Sequence, residues 1–180
     1  ARKYFDAEGF VQIVVPHLTR ATGACENIAT MFTVDHFGEQ VYLAQTGQLY
    51  LEVLTPFLNR VWCAGPSFRA EPDADERHLT EFTLVELEFR GNLDQLMKHI
   101  ENIIHSMVQE VIKTQREEME LFEIGKKRIN VMPPFKKVTY TRAVEQLSDF
   151  GVKWGDDLKS WHEKTLVEMH GNKPLFITHY

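Results

Sequence analysis

Hydrophobic and polar positions alternate or recur in blocks along most of the chain. Residues 1–8 are amphipathic at helical spacing and stop at Gly9, and "FVQIVV" (10–15) is β-rich and ends at Pro16, a residue tolerated at strand ends. Residues 17–30 have no clear period and read as a loop. "MFTVDHFGEQVYLAQ" places two apolar runs around a turn at Gly38 and predicts a hairpin. In "GQLYLEVLTPFL", Leu49, Val53, Leu54 and Phe57 fall at helical spacing, with Pro56 bending or ending the helix. "RVWCAGPSFRAE" and "EFTLVELEFR" are strand-like runs on either side of a polar loop. Residues 92–122 form the clearest element, one long helix with Leu93, Leu96, Met97, Ile100, Ile103, Ile104, Met107, Val108, Val111 and Ile112 on a single face. That stripe reads as core rather than as a cofactor box. "VMPPF" breaks the chain. "VTYTRAVEQLSDFG" then predicts a short strand, a capping threonine and a helix ending at Gly151. A polar turn, another helix and a final strand follow. Strands dominate the first half and helices interrupt the second, which predicts an α+β fold with a mostly antiparallel sheet flanked by helices.

Composition narrows the function classes. The 180 residues are 43% hydrophobic with a net charge of −6, enough for a sizeable core and a poor match to nonspecific nucleic-acid binding, which needs clustered positive charge. No run of 18 apolar residues occurs, so no transmembrane helix and no membrane partner are expected. The N-terminal stretch has no signal-peptide hydrophobic region. Cys25 and Cys63 are not spaced as a metal knuckle and read as reduced thiols of a cytoplasmic protein. The chain opens inside a predicted helix and closes inside a predicted strand, so it reads as a piece of a longer protein.

The chemistry concentrates in "FRAEPDADERHLTEF", residues 68–82. Side chains at i and i+2 of a strand share a face, so Arg69 and Glu71 point one way, and Phe82, Leu84, Glu86 and Glu88 form a second matched row. Aligned across a hairpin, these rows give a sheet surface with a guanidinium, an aromatic ring and carboxylates. A guanidinium grips phosphate or carboxylate through paired hydrogen bonds. A ring stacks on a base, and carboxylates hold Mg²⁺ or accept from an amine. A solvent-facing sheet laced by cross-strand ion pairs fits the same pattern.

"FRAEPDADERHLTEFTLVELEF" resembles motif 2 of the class II aminoacyl-tRNA synthetases in its aspartyl/asparaginyl form. "AEGFVQIVVPHL" is similar to motif 1, with Gly9, Phe10 and Pro16 in place. "ATGACENIATMFTVDHFGEQVYLAQTGQLYLEVL" resembles the adjoining flexible loop and amino-acid pocket. "VTYTRAVEQL" and "WGDDL" echo further stretches of that subclass. The resemblance covers nearly the whole chain. It implies a partial class II catalytic domain over residues 1–180, with motif 1 at about 8–18 and motif 2 at about 62–90. On this reading motif 3 is missing from the C-terminal part of the domain, and the usual anticodon-reading barrel is missing or lies outside the given residues.

The resemblance also implies roles. Arg69 is the catalytic residue, bridging the ATP α-phosphate and the amino-acid carboxylate. Glu71 accepts from the adenine amino group, Phe82 stacks on adenine, and Arg77 and His78 face the β- and γ-phosphates. Glu26 meets the substrate ammonium, Gln48 orients the amino acid, and Glu52 reads its side chain or is a plain exposed helix glutamate. Glu86 and Glu88 are left as contacts to metal or substrate, and the metal ligands stay unassigned. ATP and Mg²⁺ are the implied cofactors, a homodimer the implied assembly, and tRNA the acceptor if an anticodon-binding domain exists outside the chain.

The resemblance implies asparagine or aspartate as the substrate. Aspartyl enzymes carry lysine in "QLYK", where this chain reads "QLYLE"; the neutral Leu51 removes a cation that a buried carboxylate needs and favours asparagine. "TGACEN" departs from the usual small residues, with Asn27 and Ile28 in their place. This keeps open a paralogue resembling asparagine synthetase, which adenylates aspartate for amidation by ammonia. An inactive dimerising or regulatory relative is the third reading.

Overall fold

The computed structural model describes residues 1–21, 28–71, 79–122 and 129–180. They fall into two compact units, Arg2–Gly91 and Asn92–Tyr180, with Ala1 grouped with the second.

In the first unit, helix α1 (Arg2–Ala7) leads to strand β1 (Val11–Gln12). The expected six-residue strand is thus only two residues long. It runs parallel to strand β5 (Arg60–Phe68), and the Ile13 N–H adds one more bond to the Trp62 carbonyl. Pro16 has no N–H to extend the ladder. The stretch read as loop contains a second short strand, β2 (Leu18–Thr19), and a single 3₁₀ turn, Ile28–Thr30. The pairing partner of β2 lies more than 20 residues away, so no local period announces it.

The predicted hairpin is present: β3 (Thr33–His36) and β4 (Glu39–Leu43) pair antiparallel, and β2 adds to the other edge of β4. Its two-residue turn, Phe37–Gly38, has positive φ at both positions, which matches the right-handed twist of the strands. Helix α2 (Gln48–Leu58) continues two residues past Pro56 and stops at Asn59, φ +63°. Its inward side is only partly the predicted one: of Leu49, Val53, Leu54 and Phe57, Leu54 packs inward. Leu51 is fully buried and Leu54 packs beside it against Val61 and Cys63, while Val53 and Phe57 are exposed. Gly47, at the start of α2, lies against β5: a Cβ there would stand 2.8 Å from the Cys63 Sγ. That close approach sets the helix rotation, and only glycine permits it.

β5 pairs antiparallel with β6 (Glu81–Phe89) over nine residues, from Arg60↔Phe89 to Phe68↔Glu81. Phe5 stacks on Trp62 with ring centroids 4.5 Å apart, and Phe10 meets both Phe5 and Phe89 edge-on. Trp62 and Phe89 lie on the sheet face opposite to the one that carries α2.

In the second unit, α3 (Leu93–Thr114) starts at a capping box in which Asn92 and Gln95 exchange side-chain and backbone bonds. The predicted long helix is broken at Gln115 (φ −122°, ψ 45°), and a short α4 (Arg116–Leu121) follows. Val111 and Ile112 near the break are exposed, so burial does not hold the last turns in line. Glu101 is buried and accepts from the Phe135 N–H at 2.8 Å. Strand β7 (Lys136–Thr139) precedes α5 (Tyr140–Gln146). Thr139 is the expected cap, accepting from the Arg142 N–H, and a 3₁₀ turn completes the segment before the left-handed Gly151. After α6 (Ser160–Met169), β8 (Leu175–Thr178) pairs parallel with β7. Leu147, Leu166 and Ala143 centre the core of this unit. Antiparallel pairing thus holds the hairpins, and the two parallel pairings come from chain returns that alternation cannot show.

Candidate active site

The register of β5 and β6 decides which side chains meet. Val61↔Glu88, Cys63↔Glu86, Gly65↔Leu84 and Ser67↔Phe82 are directly opposed, so these eight residues share the face on which α2 packs. The Arg69 N–H bonds the Thr80 carbonyl at 2.8 Å, one step beyond the last strand pair, and keeps Arg69 in phase with this face. Its guanidinium carbon lies 5.6 Å from the centroid of the Phe82 ring. The structure therefore brings Arg69 and Phe82 together as the i, i+2 argument expected. Cation–π contact of this kind draws a guanidinium to a ring face and is worth ~0.5–2 kcal/mol depending on desolvation. Glu71 is half-buried but lies past the strand, so the expected strand alternation does not extend to it. Arg77, His78 and Glu26 lie outside the described residues.

Phe82 and Glu86 are four residues apart on one strand, about 13 Å at ~3.3 Å per residue. Between them, His17 covers Gly65: a Cβ at position 65 would stand 2.9 Å from His17 Nε2. His17 escapes sequence reasoning because it stands in an unpatterned stretch.

At the far end, Glu86 is committed to the start of α2. It accepts from the Gly47 N–H at 2.8 Å and from the Thr46 hydroxyl, and the Cys63 thiol points to the same carboxylate at 3.5 Å. The Thr46 oxygen in turn accepts from the Gln48 N–H at 3.0 Å. A carboxylate at a helix N-terminus is favoured by the helix dipole as well as by these bonds. Glu86 thus locks α2 onto the sheet rather than standing open as a ligand. Burial, then the charge of Glu86 and the bond to it, pushes the Cys63 thiol up to about 12. Cys63 is a neutral, buried free thiol.

One helical turn further, Gln48 donates to Glu52 at 2.7 Å. The Glu88 carboxyl is pushed up by burial first, then by the charges of Glu52 and Glu86. Glu52 follows Leu51 on the helix that packs on Val61, the strand partner of Glu88, at this end of the sheet face. Leu51 is fully buried against Val61 and Cys63, the strand partners of Glu88 and Glu86. Enclosed in this way, Leu51 presents no open surface, whereas the neighbouring Gln48 and Glu52 on α2 are bonded to each other and not buried. Among the described residues, no three His, Cys, Asp or Glu side chains are grouped to hold a metal ion.

A face with a guanidinium and a ring at one end, and an amide and carboxylates at the other, suits an elongated molecule with a flat anionic end and a polar amino-acid end. The sequence signature described as "tRNA synthetases class II (D, K and N)" matches residues 1–180. The chain belongs to this family. It is 38% identical over 180 residues to the asparagine–tRNA ligase of Pelotomaculum thermopropionicum, covering 98% of this chain and 41% of that protein. It is also 38% identical to the asparagine–tRNA ligase of Pyrococcus abyssi, covering 42% of its length. Among solved structures, it is similar to the asparaginyl-tRNA synthetase of Pyrococcus horikoshii complexed with asparaginyl-adenylate. The TM-score is 0.87 at 36% identity, over 98% of this chain and 41% of that one. The Entamoeba histolytica asparaginyl-tRNA synthetase with asparaginyl-adenylate gives a TM-score of 0.84 at 26% identity, over 99% and 40%. The chain thus spans about two fifths of the class II synthetases it matches. Its α+β fold with antiparallel hairpins flanked by helices is that of their catalytic domains. Among the described residues, no helix is long and apolar enough to cross a membrane.

Proposed function

We propose that this synthetase-family chain carries the asparagine- and ATP-binding face of an asparagine–tRNA ligase. In the first step, the α-carboxylate of asparagine attacks the α-phosphorus of ATP. The bond from that phosphorus to the pyrophosphate oxygen breaks, giving asparaginyl-adenylate. Arg69 bridges the two anions and offsets the charge that builds on the phosphoryl oxygens, so its work is positioning and electrostatics. Phe82, under the Arg69 guanidinium, stacks on adenine, and Glu71 accepts from the adenine amine. Arg77, His78 and Glu26 belong to the proposal through their motif positions alone, as partners of the β- and γ-phosphates and of the substrate ammonium. Mg²⁺ enters as the ion that accompanies the ATP phosphates.

The observation that carries the choice of asparagine is the Gln48–Glu52 pair beside Glu88. Carboxylates there accept from the N–H₂ of an asparagine side chain and repel the second carboxylate of aspartate, and a site built for a hydrogen-bond donor rejects the analogue that lacks it. The amidation of aspartate by ammonia meets the same acidic wall. Relatives named asparagine–tRNA ligase support tRNA as the acceptor. A two-fold homodimer through the motif 1 segment is supported by the exposed Val11, Val14 and Leu18. A cytoplasmic location, in keeping with the free thiol of Cys63, completes the proposal.

Calorimetry with a non-hydrolysable ATP analogue tests the reading, using the protein extended to its relatives' length. Asparagine should bind more tightly than aspartate. Tighter binding of aspartate overturns the assignment.

A further inference from the structure

The segment that delivers Arg69 is tied down residue by residue. The Ser67 hydroxyl donates to the Gln45 carbonyl at 2.7 Å, and the Phe68 N–H to the Ala44 carbonyl at 3.1 Å. The Arg69 N–H bonds Thr80, and the Ala70 N–H donates to the Thr30 carbonyl at 2.7 Å. Thr30 is the last residue of the 3₁₀ turn Ile28–Thr30. Gln45 reaches it directly: its Nε2 donates to Thr30 Oγ1 at 3.1 Å and to the Thr30 carbonyl at 3.4 Å. Gln45 is 3% exposed, Thr30 9% and Ser67 0%. Gln45 therefore touches both sides of the Arg69 segment, holding Ser67 with its carbonyl and Thr30 with its side chain.

We propose that Gln45 is a positioning residue that aims Arg69, acting through Thr30 and Ala70. Past Phe68 the Arg69 N–H continues the β5–β6 ladder on the Thr80 side. The opposite side of the chain is held by the Thr30 carbonyl, and Thr30 is held in place by the Gln45 amide. Loosening that amide frees the segment at Ala70, next to the residue that must meet both reacting anions. Buried amides are costly to leave with half their partners, so an arrangement of this kind is rigid when complete. The proposal rests on the adenylate-forming reading of the site.

The test compares wild type, Gln45→Met, Arg69→Lys and the double variant in asparagine-dependent ATP–pyrophosphate exchange, again at the relatives' full length. Met keeps the shape of Gln45 and removes its donor. Gln45→Met should lower kcat by on the order of 10–100-fold, the cost of a small misplacement of a catalytic group. KM for ATP should change by less than about threefold, since the stacking contact at Phe82 is untouched. In the Arg69→Lys background the same substitution should cost much less, because the residue it aims is already impaired. A merely structural role predicts a lower melting temperature with additive effects and no separation of kcat from KM. Unchanged kcat in Gln45→Met, or full additivity with Arg69→Lys, overturns the proposal. If Gln45→Met does not fold, Thr30→Val decides: it removes Oγ1 and keeps the carbonyl that holds Ala70. A kcat loss in Thr30→Val supports the proposal and an unchanged kcat overturns it. A wild-type protein with no asparagine-dependent exchange instead brings down the functional reading, and the proposal with it.

Discussion

Glu86→Ala isolates the lock between α2 and the sheet. The substitution removes the acceptor of the Gly47 N–H at 2.8 Å and of the Thr46 hydroxyl. Hydrogen bonds to a charged group contribute about 1.5–3 kcal/mol each. The Thr46 hydroxyl is only part-buried and can turn to water, whereas Gly47 is buried and its N–H has little access to solvent. The expected loss is therefore about 2–4 kcal/mol, nearer one strong bond than two. Glu86→Gln keeps one acceptor oxygen for Gly47 and presents an N–H₂ to Thr46, whose hydroxyl can rotate to accept it. Its loss should be about half as large, ~1–2 kcal/mol. Urea unfolding at neutral pH measures both, with an unchanged slope showing that the unfolded ensemble is the same. Amide exchange at Gly47 should accelerate in Glu86→Ala. A loss under ~1 kcal/mol for Glu86→Ala, or a Gln variant weaker than the Ala variant, refutes the assignment of Glu86 to this lock.

Two further substitutions probe the neighbouring groups. Leu51→Lys, the change that would recruit aspartate if position 51 faced the substrate, should instead cost at least about 3–5 kcal/mol, because it buries an ammonium where a fully enclosed leucine stood; a folded Leu51→Lys protein that gains aspartate binding contradicts the placement. Glu88→Gln tests the raised carboxyl. A folded value above the unfolded one means that the fold favours the protonated acid. That contribution is full below the ordinary carboxylate range and is lost as pH rises through the raised value. Glu88→Gln should therefore gain stability over wild type at pH 7, with the gain shrinking as pH falls towards 4. A gain that grows on acidification reverses the sign and refutes it.

The parts of the fold set by local period were legible. The Phe37–Gly38 hairpin, the β5–β6 pair, the start of α3 and the Thr139 cap all announce themselves within a few residues. β2 did not, and β1 was legible only as a longer strand than forms, since two-residue ladders are created by partners such as Val61 and Leu43 far along the chain. The rotation of α2 was partly misjudged for a similar reason. Val53 and Phe57 look like core by composition, but the Gly47–Cys63 approach and the Glu86 bonds turn Leu51 inward. In the site, the meeting of Arg69 and Phe82 follows from strand alternation and register. Gln45 and Thr30 were silent, because a buried glutamine and a threonine in an unpatterned stretch carry no signal until the chain closes on itself.

The most direct test of the account is ATP–pyrophosphate exchange by the protein extended to its relatives' length, with asparagine or aspartate as the amino acid, in wild type and Arg69→Ala. The account predicts exchange that depends on asparagine and falls by on the order of 100-fold or more in Arg69→Ala, the usual cost of removing a preorganised charge partner of a reacting group. Exchange driven by aspartate, or asparagine-dependent exchange that survives in Arg69→Ala, would contradict it.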